Sequence, residues 1–289
     1  MKAFWRFWGR CPALIRILGY FVGVLLLAAP LAIPIYQFEY AATQGKSVIW
    51  APICLLGVFV LCLPLWARGI HRLSSPWRVL GFVGGWKWWQ QWLWAFVVGA
   101  VGVAILYLLQ LVLGWGTWVS PTDNRFIRHL LEGFLVGLGV GMAEELVFRG
   151  WLLFELEQDY SLQVALWVNA SLFAIAHYIR PLSVILETWP QFFGLLLLGL
   201  TLVWARRIPV GVKRSGASQT SLSWAAGLHG GLVWANYQVD VNDLVLATGK
   251  VPDSITGIGG NPLAGVLGLL LLGTIAIATY IASHRTQLD

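Results

Sequence analysis

The sequence predicts an all-α protein, a polytopic bundle of transmembrane helices with a polar cavity inside the membrane. Composition is the first reason, because 58% of the 289 residues are hydrophobic and only 11% are charged, whereas soluble domains carry about 25% charged residues. The second reason is the length of the apolar runs, several of which reach the roughly 20 residues that cross a bilayer. The third is a small set of ionisable residues inside those runs, where they are costly and mark functional sites.

The apolar runs divide the chain into about eight spans. Each span is followed by a connection that is richer in charged residues, Gly or Pro. Residues 1–125 are interpreted as N-terminal transmembrane helices, 126–240 as the core with the polar residues, and 241–289 as an outer loop with the last transmembrane helix. The predicted spans are 13–37, 47–67, 89–115, 131–156, 162–180, 189–205, 221–239 and 261–282.

Lysine and arginine concentrate in alternate connections between the spans. They occur before the first span, between the second and third, between the sixth and seventh, and after the eighth, whereas Asp240, Asp243 and Asp253 follow the seventh. Because cytoplasmic loops are rich in Lys and Arg, we expect both termini in the cytoplasm of a multi-pass protein, in a plasma or thylakoid-type inner membrane of a bacterium. The net charge of +6 then reflects topology and contact with anionic membrane lipids, and no nucleic-acid partner is expected.

Three glycines recur every four residues at the start of the fourth span. Gly133, Gly137 and Gly141 therefore lie on one face of a helix. Small residues at this spacing let another helix approach closely. The pattern predicts a tightly packed helix, which is a setting that keeps polar residues away from lipid.

The same span continues with the charged sequence EELVFR. Glu145 and Arg149 are four residues apart and can pair on one helical face. Glu144 is offset from that face by about 100°. The spacing therefore predicts a structural ion pair and leaves Glu144 available as a general base.

Two histidines lie inside other spans. His177 follows Phe173 by four residues in the fifth span, and His229 lies in the seventh. We expect them to share a site with Glu144, because ionisable residues inside a membrane face a cavity or each other. The glutamate could deprotonate a water that one histidine orients, while the other stabilises an oxyanion.

A zinc site is the alternative for the same three side chains. One carboxylate and two imidazoles match the ligands of some catalytic zinc sites, so Glu144, His177 and His229 would be the ligands. A metal-free site is favoured, because no motif places two ligands one helical turn apart. No cofactor is therefore expected, and zinc stays the alternative.

Together these motifs resemble the CPBP intramembrane proteases, which include the type II CAAX prenyl endopeptidases and the bacterial Abi proteins. The family pattern is EExxxR, FxxxH and HxxxN/D on successive core helices. It is matched here at 144–149, at 173–177 and from His229 onward, within about residues 130–240. The resemblance implies an α-helical membrane fold with a conical cavity that opens to the bilayer.

The resemblance also implies a function and a role for each residue. The protein is expected to be an endopeptidase that acts on a peptide or a lipidated protein. Glu144 would activate water beside His177, and His229 would belong to the oxyanion site. Glu145 and Arg149 would support the structure, in agreement with their predicted pairing.

The sequence departs from the family pattern four residues after His229, where Val233 replaces Asn or Asp. Valine cannot donate a hydrogen bond, so the oxyanion site lacks its usual partner. Asn236 lies on nearly the same face about 10 Å further along and could substitute only if the helix were distorted. Gly230 and Gly231 would permit such a distortion.

Two other functions stay open from the sequence. A non-catalytic scaffold or regulator could keep the fold, and Val233 favours that reading. A proton-coupled carrier could use Glu144 and the histidines as a relay. The carrier would require an internal repeat, and the sequence shows none clearly, so it ranks third.

Overall fold

The computed structural model describes residues 2–45, 48–121, 125–212 and 218–284. Helices dominate these residues and the only strands are short, which confirms the predicted all-α polytopic fold. The chain forms two compact units. The first contains the described part of Met1–Val79 together with Phe154–Tyr160, and the second contains that of Leu80–Leu153 and Ser161–Asp289. The three segments predicted from the sequence stay a prediction, since these units reflect packing alone.

The first unit is built on two long apolar helices, α2 (Ala13–Thr43) and α3 (Trp50–Ile70). The Tyr20 hydroxyl donates to the carbonyl of Phe59 at 2.7 Å, which ties the two helices together inside their apolar contact. The helices of this unit are α1 (Lys2–Trp8), α2 (Ala13–Thr43), α3 (Trp50–Ile70), α4 (Pro76–Val79) and α7 (Leu153–Asp159).

A buried carboxylate joins α7 to the rest of the first unit. Glu155 is fully buried and accepts from Arg16 Nε and Trp66 Nε1, each at 2.9 Å. His71 Nε2 lies 2.8 Å from the same carboxylate. A buried charge is tolerated when it is paired and hydrogen-bonded, and here three partners meet that condition.

The second unit contains the predicted core and the last helix. Its helices are α5 (Trp86–Val112), α6 (Phe126–Glu145), a π-helix (Leu146–Leu152), α8 (Leu162–Ala176), α9 (Leu182–Thr188), α10 (Gln191–Arg207), α11 (Ser223–Val241), α12 (Asp253–Thr256), a 3₁₀ turn (Pro262–Ala264) and α13 (Val266–His284). Its strands form two antiparallel pairs. They are β1 (Gly116–Trp118) with β4 (Val245–Ala247), and β2 (Pro209–Val212) with β3 (Ser218–Thr220).

Helix α11 is the centre of the second unit, and the glycine face of α6 packs directly on it. A Cβ atom at Gly137 would lie 2.6 Å from the carbonyl oxygen of Gly230, and one at Gly141 would lie 2.6 Å from that of Ala226. Real Cβ atoms do not approach oxygen so closely. The close helix approach predicted from the glycine spacing is therefore present, and its partner is α11.

Glycines of α11 also allow a close approach between helices, in this case to α5. A Cβ atom at Gly227 would collide with the carbonyl of Trp92, and one at Gly231 with that of Phe96. Helix α11 runs without a break from Ser223 to Val241. Gly231 therefore allows close packing in a continuous helix, and the distortion that would bring Asn236 level with His229 is not seen.

The ends of the second unit are defined by contacts between its helices. At one end, Gln91 of α5 accepts from the Ser223 hydroxyl at the start of α11 and donates to the carbonyl of Pro209. At the opposite end, Gln238 of α11 donates to the carbonyl of His129. The paired strands β1 and β4 lie at the same end as Gln238, beyond the last turns of α5 and α11.

The predicted number of spans is not confirmed. Among the described residues, four helices are long and apolar enough to cross a bilayer alone: Ala13–Thr43, Trp50–Ile70, Trp86–Val112 and Val266–His284. A fifth candidate is the pair α9 and α10, which is bent by 80°. The other predicted spans coincide with helices that are shorter or carry polar side chains. Helix α8, with 15 residues, is only about 22 Å long.

Candidate active site

The site begins where α6 changes into the π-helix. Glu144 and Glu145 are the last residues of α6, and Leu146–Leu152 form the wider turns that follow. Asn169 of α8 is fully buried and donates to the carbonyl of Phe148 at 2.7 Å. Short π-helical segments are rare and occur frequently at functional sites. Sequence analysis did not predict this segment.

Glu145 and Arg149 form the predicted ion pair. Arg149 Nη1 lies 2.9 Å from Glu145 Oε1, and the two residues are 1% exposed or less. Arg149 Nη2 also donates to the carbonyl of Gly199 on α10, at 3.1 Å. Its guanidinium lies 4.2 Å from the centre of the Phe173 ring. The pair thus joins the π-helix to two other helices, while its role as structural support stays a prediction.

His229 is held by the same carboxylate. Its Nδ1 lies 2.9 Å from Glu145 Oε1, and the residue is 5% exposed. A carboxylate that is ionised beside an arginine only accepts hydrogen bonds, so Nδ1 of His229 carries the proton and donates. This fixes the ring and leaves its Nε2 facing the site.

His177 is oriented by the backbone of its own helix end. Its Nδ1 lies 2.8 Å from the carbonyl oxygen of Phe173, which accepts the proton of that nitrogen. The Phe173 ring is fully buried, with its centre 4.5 Å from that of His177 and 6.0 Å from that of His229. Phe173 therefore separates and orients the two imidazoles, and Nε2 of His177 is left free.

Both free imidazole nitrogens lie beside Glu144. Its Oε2 atom is 3.8 Å from His177 Nε2 and 4.0 Å from His229 Nε2. The same oxygen is buried and has no hydrogen-bond partner among the described residues, although a third of the Glu144 side chain is exposed. The structure therefore brings together the three residues that the sequence nominated, while their chemical roles stay predictions.

A metal ion at this site would require ligand atoms that lie close enough together to coordinate it. No group of three His, Cys, Asp or Glu residues in the described ranges is arranged to hold a metal. Ligands at about 2.0–2.1 Å in a tetrahedral site would need the Glu144 oxygen and the two imidazole nitrogens to move closer together. Zinc therefore stays the alternative, for an experiment to decide.

A chamber of about 490 Å³ adjoins His229. His229 and Val233 line it, and so does Asn236. The Asn236 side chain accepts from the Tyr107 hydroxyl at 3.2 Å and donates to Asp240 at 3.1 Å. No contact joins Asn236 to the three site residues in the described structure. Sequence reasoning missed the chamber, because its lining residues come from separate parts of the chain.

The fold and the site together define the class of protein, a multi-pass membrane protein with ionisable groups in its interior. A bundle of apolar helices encloses a carboxylate oxygen that has no hydrogen-bond partner among the described residues and lies beside two oriented imidazoles. This set of groups is suited to acid–base chemistry inside a membrane. The family model described as type II CAAX prenyl endopeptidase Rce1-like matches residues 126–235, less than half of the chain. This match confirms the resemblance based on the motifs and supports a peptidase. No curated protein and no solved structure was found to match the chain.

Proposed function

We propose that the protein is an intramembrane endopeptidase in which Glu144 activates a water molecule. The observation that carries the proposal is the position of Glu144 Oε2, which has no hydrogen-bond partner among the described residues, within 3.8–4.0 Å of two oriented imidazoles. A water between Glu144 and His177 has two acceptors of its protons, a carboxylate oxygen and an imidazole nitrogen. Such a water is positioned and polarised for attack on a carbonyl carbon.

The reaction follows from these positions. Glu144 takes a proton from the water, and the water oxygen bonds to the carbonyl carbon of the peptide. The carbonyl oxygen becomes an oxyanion beside His229, whose Nε2 donates to it when the ring carries its second proton. Glu144 then returns the proton to the leaving amine as the C–N bond breaks. Stabilisation of an oxyanion by one donor contributes on the order of a hundredfold or more to turnover.

Glu145 and Arg149 act through His229. The carboxylate is shared between Arg149 and the His229 ring, so it fixes the tautomer and the direction of Nε2. Hydrogen bonds of this kind set which nitrogen of a histidine faces its target. Both residues are positioning residues that do not touch the substrate.

A scaffold that has lost catalysis is the second candidate. Val233 lines the chamber one turn beyond His229 and offers no hydrogen-bond donor, which is the observation that favours it. A scaffold, however, needs neither a Glu144 oxygen that lacks a hydrogen-bond partner among the described residues nor two imidazoles turned toward it. The carrier reading gains no support from these contacts.

Cleavage by purified protein tests the proposal. Wild type and Glu144→Gln are reconstituted in liposomes and incubated with a library of quenched reporter peptides, with and without a chelator. We expect cleavage by wild type that survives chelation, and a loss of at least about a hundredfold in the variant.

Glu132→Gln is the matched control. Glu132 lies on the same helix as Glu144 but forms an exposed ion pair with Arg128, so its removal should leave the rate unchanged. Loss of wild-type cleavage on chelation would replace the metal-free mechanism with the zinc alternative. Equal rates for wild type and Glu144→Gln would refute Glu144 as the base.

A further inference from the structure

The chamber beside His229 has a rim and a base. His229, 5% exposed, and Gln191, 4% exposed, are its deepest polar residues, whereas Arg180, Asp240 and Gly260 are exposed. His229 also lies 4.0 Å from the Glu144 oxygen. A molecule that enters past the rim therefore reaches the proposed catalytic groups at the base.

The chamber has both polar and apolar lining residues, and a charged side chain stands at its rim. Its volume of about 490 Å³ lies within the usual 300–1,000 Å³ of small-ligand sites. Half of its lining residues carry polar or charged side chains, and they are Arg180, Gln191, His229, Asn236, Tyr237, Asp240 and Asn261. A long apolar chain lying across the exposed Arg180 guanidinium would remove its water without pairing its charge, which is costly.

Most of these polar groups already have partners within the protein. Gln191 donates to the carbonyl of Ile258 at 2.7 Å, and Asn261 accepts from the backbone of Leu263 at 3.0 Å. Asp240 accepts from Asn236. The Arg180 guanidinium, by contrast, forms no ion pair with any described residue and has only the Tyr178 ring nearby, at 5.9 Å. Arg180 is therefore the cation in the chamber that is available to a ligand.

The chamber lies at one end of the second unit. It is lined by the C-terminal half of α11, which ends at Val241, and by Gly259 and Gly260 before α13. The opposite end carries the start of α11 and the arginines that end α10, Arg206 and Arg207. Since basic connections face the cytoplasm, the rim of the chamber faces the other side of the membrane.

We propose that this chamber is the substrate entrance, and that it admits an unlipidated, acidic peptide segment from the side of the membrane opposite the cytoplasm. Arg180 binds a carboxylate of that segment and so determines specificity. The proposal rests on the proposed function for its substrate class. The side of entry and the charge preference can be measured without any cleavage.

Thiol labelling tests both parts. Cys11, Cys54 and Cys62 are replaced by alanine, and Val233→Cys is introduced in the wall of the chamber. The protein is placed in oriented vesicles of zwitterionic phosphatidylcholine, so no anionic lipid competes for Arg180. Two membrane-impermeant methanethiosulfonates are compared, one carrying a sulfonate and one a trimethylammonium group. If Val233→Cys does not fold, it is replaced by Leu263→Cys, which lines the same chamber.

Reference thiols define the two sides. Ser254→Cys is exposed in the acidic connection, and Gln90→Cys is exposed near the start of α5. We expect the Val233→Cys thiol to react from the side of Ser254→Cys. We also expect the ratio of sulfonate to trimethylammonium rates to fall at least about threefold in Arg180→Gln, but not in the control Arg128→Gln.

Two results would overturn the proposal. One is labelling of the chamber only from the side of Gln90→Cys, and the other is a rate ratio that Arg180→Gln leaves unchanged. Labelling as expected from a protein that cleaves no peptide would instead refute the proposed function and leave the entrance in place.

Discussion

The Nδ1 atom of His229 lies 2.9 Å from Oε1 of Glu145, 84 residues earlier in the chain. The same oxygen lies 2.9 Å from Arg149 Nη1. One buried carboxylate therefore orients an imidazole on α11 and balances the charge of the π-helix. The two adjacent glutamates therefore differ in their contacts, because Glu145 Oε1 pairs with Arg149 and His229, whereas Glu144 Oε2 has no hydrogen-bond partner among the described residues.

Removal of Arg149 should destabilise the protein strongly. Arg149→Met leaves the carboxylate of Glu145 buried without its cation, a change that typically costs about 3–5 kcal/mol. Thermal unfolding in detergent measures the effect. The double variant Glu145→Leu with Arg149→Met removes both charges and should lose much less stability. Equal losses of stability in the single and the double variant would show that the unpaired charge of Glu145 does not cause the destabilisation.

Val233→Asn should raise the rate of cleavage. The position lines the chamber one helical turn beyond His229, and an amide there can donate to the developing oxyanion. Since one such donor contributes about 10²–10³ in turnover, we expect kcat to rise at least about tenfold with little change in KM. Val233→Leu has similar size and no donor, so it should stay at the wild-type rate. A well-folded Asn variant with unchanged kcat would speak against a missing donor at this position.

Gly137→Ala should displace α11 and the histidine it carries. The new Cβ would lie 2.6 Å from the Gly230 carbonyl, which is backbone and cannot swing aside. Overpacking of this kind costs about 1–3 kcal/mol, and both the unfolding temperature and the cleavage rate should fall. Gly139→Ala is the control on the same helix, because nothing lies within 4 Å of its Cβ. That change should be neutral or stabilising by up to about 1 kcal/mol. Similar behaviour of the two variants would contradict the close packing of α6 on α11.

The sequence predicted the parts of the site that depend on local spacing. Glu145 and Arg149 pair because residues four apart share a helical face, and Gly137 approaches α11 because its face carries no side chains. Glu144, His177 and His229 were grouped because few ionisable residues occur in the apolar runs. Each of these inferences needed only a periodicity or a residue type.

Other features depend on contacts between distant positions and had no local signal. The π-helix is supported from α8 by Asn169, and the chamber is lined by residues of α10, of α11 and of the segment before α13. Gly231 was expected to permit a distorted helix. Instead, α11 is continuous, and Gly231 lets it pack closely against Phe96 of α5. The count of eight spans is not confirmed for a related reason, because a helix packed among others can be shorter than the bilayer core.

The central claim is that Glu144 activates a water molecule that attacks the peptide directly. It is tested by a single turnover in water enriched in ¹⁸O, followed by mass spectrometry of the product and of the peptide that contains Glu144. The account predicts one solvent oxygen in the new carboxyl terminus and none in Glu144. Solvent oxygen in the Glu144 carboxylate would show that the glutamate bonds to the substrate, and would contradict the account.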